Sequence, residues 1–203
     1  MTTGRKAHPK PASLPAAFYT RNADTVAPDL LGMYICRRMK AATLVGRIVE
    51  VEAYMPDDPA SHAYRGMTRR NEVMFAKGGV LYVYFTYGMH FCANVVTGPE
   101  GSGQAVLIRG VEPMVGISAM RAHRKMSHMS DLIGLTNGPA KFCKAFGIGR
   151  TENGTNLLGD EVYLLRGEKV HPADIRSSRR IGISRGKSRR WRFFLRGNPW
   201  VSR

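Results

Sequence analysis

The chain has 203 residues and carries 31 Lys and Arg against 15 Asp and Glu, a net charge of +16. That length supports one domain with a substantial core, and that balance points to a polyanionic partner such as DNA, RNA or an anionic surface while saying nothing about fold. The three cysteines, Cys36, Cys92 and Cys143, lie among apolar neighbours and form no CxxC, so they read as free buried thiols and support neither a zinc site nor an iron–sulfur cluster.

In chain order, residues 1–13 are rich in Pro, Lys and Ser and read as a flexible basic tail, with the folded domain over 14–203. This start lacks the apolar run of a signal peptide. A helix is expected from near Asp24 through Leu31, ending near Gly32. "MYICRRM" and "LVGRIVEVEAYM" read as strands. In the second, a period of two puts Ile48, Glu50, Glu52 and Tyr54 on one face and Arg47, Val49, Val51 and Ala53 on the other. "MPDDPASHAYRGMTRRN" is a long polar loop, where function concentrates. "VLYVYFTY" and "HFCANVV" are strands around a break at Gly88 and form a hairpin in the core of a sheet. The uncharged stretch 78–99 is long enough to raise the question of a membrane span. Its Gly88, His90, Asn94 and tyrosines are poor hydrocarbon solutes, so no membrane association is expected.

"QAVLIRGVEP" reads as a further strand, and "GISAMRAHRKM" and "GPAKFCKAFGI" as helices, the second with Pro at its start. "DEVYLLRG", "RRIGISR" and "WRFFLRG" finish as short strands. Strands and helices do not alternate regularly, so the expected class is α+β, a single compact domain. From Arg166 to Arg203 there are twelve Lys and Arg against Glu168 and Asp174, which places +10 of the charge there.

Glu50 and Glu52 share a strand face, and each could either pair with an arginine such as Arg47 or Arg109 or serve as a general base in a cleft. Glu52 gains weight because Tyr54 shares its face and His62 follows in the loop. Tyr82 and Tyr84 share one face of their strand, with Phe85 and Tyr87 on the other; Tyr82 and Phe85 are assigned to the sheet core. A slot made by Tyr54, His62 and Tyr84 suits a nucleobase, since stacking is worth about 1–3 kcal/mol per base, and electron-rich rings favour a cationic alkylated purine. Tyr87-Gly88-Met89-His90, at the strand break, fits either a packed turn or a wedge into stacked bases. The chain has no HExxH, GxGxxG or Walker A sequence, and "GISRG" lacks the apolar strand of a nucleophile elbow.

The blocks "GRIVEVEAY", "ASHAYRGMTRRN", "GGVLYVYFTYGMHFCANVV", "AVLIRGVEP", "NGPAKFCKA" and "LRGNPWVS" together resemble the alkyladenine (3-methylpurine) DNA glycosylase family, in order and over most of the chain. The resemblance implies a single α+β domain with a curved antiparallel sheet. It implies a monofunctional enzyme, acting as a monomer without metal or other cofactor, that flips damaged purines out of double-stranded DNA and hydrolyses the N-glycosidic bond. It implies that Glu52 is the general base, that Arg109 holds the water or nearby charge, and that the carbonyl of Ile181 is a third water contact. Tyr54 would stack on one side of the base with His62 and Tyr84 on the other, and Asn94 would clash with the 2-amino group of guanine. Tyr87, with Met89 and His90 beside it, would fill the gap in the duplex. Thr68, Arg70, Asn71, Lys141 and Gly182 would contact phosphates. His90 departs from the Tyr that family members can carry there. Such an enzyme would work at the nucleoid of a bacterial cytoplasm or in a eukaryotic nucleus. The rival readings are a non-catalytic nucleic-acid module, which leaves Glu52 beside the slot unexplained, and an inactive relative, which the retained Glu52, Tyr54, Arg109 and Asn94 argue against.

Overall fold

The computed structural model describes residues 12–86, 88–127 and 131–202. Two helices open the fold, Ala16–Tyr19 (α1) and Ala23–Leu30 (α2). The second starts where extended Asn22 turns its carbonyl to the N–H groups of Thr25 and Val26, within a residue or two of the expected start. Five strands follow: Tyr34–Arg38 (β1), Thr43–Tyr54 (β2), Leu81–Thr86 (β3), His90–Thr97 (β4) and Gln104–Val115 (β5). Helices Ile117–Arg124 (α3) and Pro139–Phe146 (α4) come next, then strands Val162–Leu165 (β6), Ile175–Ser178 (β7) and Arg192–Leu195 (β8). Pro139 opens α4, where its missing N–H costs nothing, and Gly147 closes it in the left-handed region.

Strands β3, β4, β5, β2, β1 and β6 lie side by side in that order, every pair antiparallel. Strand β2 is long enough to have two partners on one edge: β1 against Thr43–Arg47, then β8 against Glu50–Glu52, with β7 beyond β8. Its pairing with β5 shifts register between Ile48 and Glu50 and again between Glu50 and Val51. Such bulges bend a strand and increase its twist. They also change the expected alternation: Ile48 joins Val49 and Val51 in the apolar core, apart from Glu50 and Glu52. The α+β class and the curved antiparallel sheet are as expected.

The sheet has two different faces. Leu81 and Val83 of β3, Ala93 and Val95 of β4, Val106 and Ile108 of β5, and Val49, Val51 and Ala53 of β2 pack with Leu30, Phe142 and Phe146 of the helices in one apolar core. Burying side chains of this size contributes about 1.5–3 kcal/mol each. The residues between them point the other way: Tyr82, Tyr84, Cys92, Asn94, Leu107, Arg109 and Tyr54 line a cavity. A smaller cluster of Ala63, Met74, Tyr82, Val96 and Ala105 backs that second face.

Two expectations are corrected. "RRIGISR" is not a strand; β7 ends at Ser178 and a loop follows. Arg180 turns inward, Gly182 takes φ +75°, and the Ile181 N–H bonds a side chain instead of a ladder carbonyl. Phe85 is not core; it is 40% exposed and packs on Phe91 at 5.0 Å between ring centroids. The tail boundary at residue 13 falls largely on residues 1–11, outside the described ones, but Ala12 and Ser13 already pair with the β6 end at Arg166 and Leu165.

Candidate active site

Strand alternation brings Glu52 and Tyr54 of β2 to the cavity side, and antiparallel pairing sets Leu107 opposite Glu52, with Arg109 on the same side of β5. The Glu52 side chain is fully buried. Its Oε1 accepts the Ile181 N–H at 2.8 Å, and its Oε2 accepts the Tyr54 hydroxyl at 2.9 Å and faces Arg109 Nη1 at 3.3 Å. Tyr54, Arg109 and Ile181 all line the cavity, whose volume is about 340 Å³, within the range of small-molecule sites. Oε1 takes only the Ile181 N–H among the described contacts, which leaves it a lone pair for water. The Glu52 neighbours set a clear protonation pattern. Burial first, then the charge and hydrogen bond of Glu52, hold the Tyr54 phenol far above its ordinary pKa, so it remains a donor. Burial alone would lower the pKa of Arg109, but the charges of Glu52 and Glu50 outweigh it and raise it.

The aromatic wall comes from β3 and the loop after β2. His62 Nδ1 lies 3.0 Å from the Tyr82 hydroxyl, and its ring meets Tyr84 edge-on at 4.4 Å. Tyr82 and Tyr84 lie 5.6 Å apart at 31°. Burial raises the Tyr82 phenol to about 12 and the Tyr84 phenol further, the latter helped by Cys92. His62 sits at the rim, open to solvent on one side. Its partial burial, followed by the charge of Arg70, lowers its pKa, so the ring is neutral at neutral pH. Asn94 is buried and its Nδ2 donates to the Tyr82 carbonyl at 3.0 Å, which fixes the amide where it lines the cavity.

A second arginine supports this wall from behind. Arg180 is fully buried, forks onto both oxygens of buried Asp58 and donates to the Ala53 carbonyl at 2.9 Å. Its guanidinium lies 4.6 Å from the Tyr54 ring centroid and 5.4 Å from that of Trp191. The polar loop after β2 is thus tied to the loop after β7, whose Ile181 holds Glu52.

The other expected positions divide. Gly182 lines the cavity. Met89 is 69% exposed, and His90 and Thr68 are exposed, in keeping with a surface role. Arg70 is exposed too and donates to the Phe85 carbonyl at 3.3 Å, joining the loop to the hairpin. Lys141 is tied to Asn137 Oδ1 at 2.8 Å, two residues beyond Pro139 of the cavity lining. Tyr87 lies outside the described residues. One expectation changes. Asn71 is buried: its Oδ1 accepts from Thr68 N and Oγ1, and its Nδ2 donates to the His62 and Gly66 carbonyls. Its side chain therefore holds the loop shape and has no donor left for a phosphate. Ile181 also meets Glu52 through its N–H, a contact separate from the water contact expected of its carbonyl. Tyr82, assigned to the core, is buried but also lines the cavity; its shared face with Tyr84 was the available signal. The Asp58–Arg180 pair had none, since 122 residues separate its members.

With this geometry in place, sequence comparison is informative. The profile of the family described as methylpurine-DNA glycosylase (MPG) matches residues 17–199. A protein of Carboxydothermus hydrogenoformans, named "Putative 3-methyladenine DNA glycosylase", is 47% identical over 191 residues, 94% of this chain and 98% of that protein. Proteins of the same name from Methanoculleus marisnigri and Burkholderia lata are 46% and 44% identical over 94% and 98% of this chain, covering 99% and 97% of their own lengths.

Proposed function

Because the chain belongs to the methylpurine-DNA glycosylase family, we propose that it is a DNA-3-methyladenine glycosylase that starts excision repair by releasing damaged purines from double-stranded DNA. The observation that carries this reading is Glu52: a buried carboxylate directly behind the lining of an aromatic cavity, held by three lining residues through the Tyr54 hydroxyl, Arg109 and the Ile181 N–H. A non-catalytic base-stacking pocket has no use for a buried carboxylate, which repels phosphate and costs free energy to bury.

In the proposed reaction the damaged nucleotide leaves the stack, at a cost of a few kcal/mol that is least for damaged bases. The base enters between Tyr54 on one side and His62 and Tyr84 on the other. The glycosidic C–N bond breaks and its electron pair leaves with the base. Positive charge grows on the sugar, where Glu52 opposes it. Water adds its oxygen to the sugar carbon and gives a proton to Glu52. A 3- or 7-alkylated purine is already cationic and departs neutral. A neutral base such as hypoxanthine needs a proton as it departs. Asn94, fixed by its bond to the Tyr82 carbonyl, would exclude the 2-amino group of guanine. Arg70, Lys141 and the main chain at Gly182 are the proposed phosphate contacts, with Met89 and His90 at the wedge.

The test is single-turnover excision from a duplex holding one 3-methyladenine, with abasic sites cleaved chemically afterwards. Wild type is expected to yield abasic product, and Glu52→Gln to lose about 10²–10⁴-fold in rate while still binding the duplex. No product from wild type, with salt-sensitive DNA binding intact, would replace this reading with a binding module.

A further inference from the structure

Glu50 is as deeply buried as Glu52 yet faces away from the cavity's chemistry, toward the segment that follows β8. Its Oε1 accepts from Arg109 Nε at 3.0 Å, Arg192 Nε at 2.6 Å and the Ser202 hydroxyl at 2.8 Å; its Oε2 accepts the Ser202 N–H at 2.5 Å. The Ser202 carbonyl accepts from Arg192 Nη2 at 2.9 Å, and its hydroxyl oxygen also lies 3.2 Å from Arg109 Nη2. The segment is seated along its length. Asn198 donates to Glu112 Oε2 at 3.0 Å, and Trp200 Nε1 to the Leu132 carbonyl at 3.3 Å. Gly110 lets it pass, because a Cβ there would stand 2.6 Å from the Trp200 carbonyl oxygen. The family match ends at residue 199, so Ser202 lies beyond it.

We propose that Ser202 and Glu50 are positioning residues that restrain Arg109 to a one-armed contact with the catalytic carboxylate Glu52. This rests on the glycosylase reading above. Arg109 has three nitrogens: Nε is taken by Glu50, Nη2 by Ser202, and only Nη1 faces Glu52. That contact is 3.3 Å, longer than the roughly 2.7–2.9 Å of an aligned charge-assisted bond. A free guanidinium would fork onto Glu52 and occupy the Oε1 lone pair that water needs. The restraint keeps a cation beside the developing charge without letting it capture the base. The charged groups around Glu52 are Glu50 on β2, Arg109 on β5, Arg192 on β8 and, behind Tyr54, Arg180 with Asp58. Tyr54, Tyr84 and Cys92, held neutral by burial, complete the surroundings.

The test compares wild type, Ser202→Ala and Ser202→Thr by single-turnover excision, by binding to the same lesion duplex and by urea unfolding. Ser202→Ala is expected to slow excision about tenfold with duplex binding and the unfolding midpoint close to wild type. Ser202→Thr, which keeps the hydroxyl, should restore the rate. Glu50→Gln should act in the same direction; should it fail to fold, the Ser202 variants decide alone. Ser202→Ala with the wild-type rate overturns the proposal, and so does a slower rate that Ser202→Thr fails to restore or that comes with a lowered unfolding midpoint, which is the mark of general loosening. An inactive wild type overturns the glycosylase reading itself, whereas an active wild type indistinguishable from Ser202→Ala overturns only the positioning role.

Discussion

The two faces of the sheet are built by the same strands and obey the same alternation, yet they are held together in opposite ways. On the helix side, Leu81, Val83, Val95, Val106 and Ile108 need only be apolar and of the right size, and neighbours in one core substitute for one another within limits. On the cavity side, each polar group depends on particular named partners: Tyr54 on Glu52, His62 on Tyr82, Asn94 on the Tyr82 carbonyl, Arg109 on Glu50, Glu52 and Ser202. The first face stabilises through area. The second requires complete pairing, because a buried polar group that loses its partner costs about 1–3 kcal/mol.

The sharpest way to separate the faces is to remove one group from each. Glu52→Gln, which should lose excision by about 10²–10⁴-fold, is expected to leave the unfolding midpoint close to wild type, since the Gln carbonyl can accept the Ile181 N–H, its amide can donate to the Tyr54 hydroxyl oxygen, and Arg109 keeps its pair with Glu50. Phe142→Ala should do the reverse. It removes a fully buried ring from the helix side and should lower stability by about 3–5 kcal/mol, with the excision rate of the folded protein retained. Urea unfolding alongside single-turnover rates checks both; an active Glu52→Gln or a catalytically dead Phe142→Ala would break the division.

That division also explains which parts were readable in the sequence. The apolar face follows from local period alone, so most strands and helices were anticipated within a residue or two, the short α1 and β7 being the exceptions. Half the cavity was equally readable, because Glu52, Tyr54 and His62 are close in sequence and Tyr84 alternates with Tyr82. Arg109, Ile181 and Asn94 came only through family resemblance, as no pattern within "AVLIRG" or "RRIGIS" aims them at Glu52. The supports were invisible: 152 residues separate Ser202 from Glu50, and Arg180 lies within a run that resembles a solvated basic surface. Phe85 misled for a related reason: alternation assigns it to the face opposite Tyr84, but near the hairpin tip that face is partly open, with Phe91 packed beside the ring.

Arg180 is where the two faces meet, so its loss should be felt in both measurements. The side chain and its Asp58 partner are fully buried. Removing one member of such a pair leaves the other charge uncompensated, at about 3–5 kcal/mol. Arg180→Ala is therefore expected to cost as much stability as Phe142→Ala and also to slow excision in the molecules that fold, because Tyr54 loses its backing and the Ile181 loop its anchor. Arg180→Lys should recover little, since an ammonium cannot fork onto both Asp58 oxygens. Retained excision in folded Arg180→Ala would assign the pair to stability alone.

The smallest expected effect comes from His62, because one side of its ring meets solvent. Its folded pKa is lowered, by burial first and by Arg70 second, whereas an unfolded histidine titrates near about 6.5. Above that value both states are neutral and the group leaves stability unchanged with pH. As pH falls through it, the unfolded chain takes up a proton that the folded one still refuses, so stability declines until the folded pKa is passed. Unfolding free energies measured from about pH 8 to pH 5 should therefore fall more steeply for wild type than for His62→Gln. The difference between the two curves removes the contributions of the other histidines. Parallel curves would mean that His62 is no harder to protonate in the cavity than in water, and that its ring is not the neutral wall a cationic purine requires.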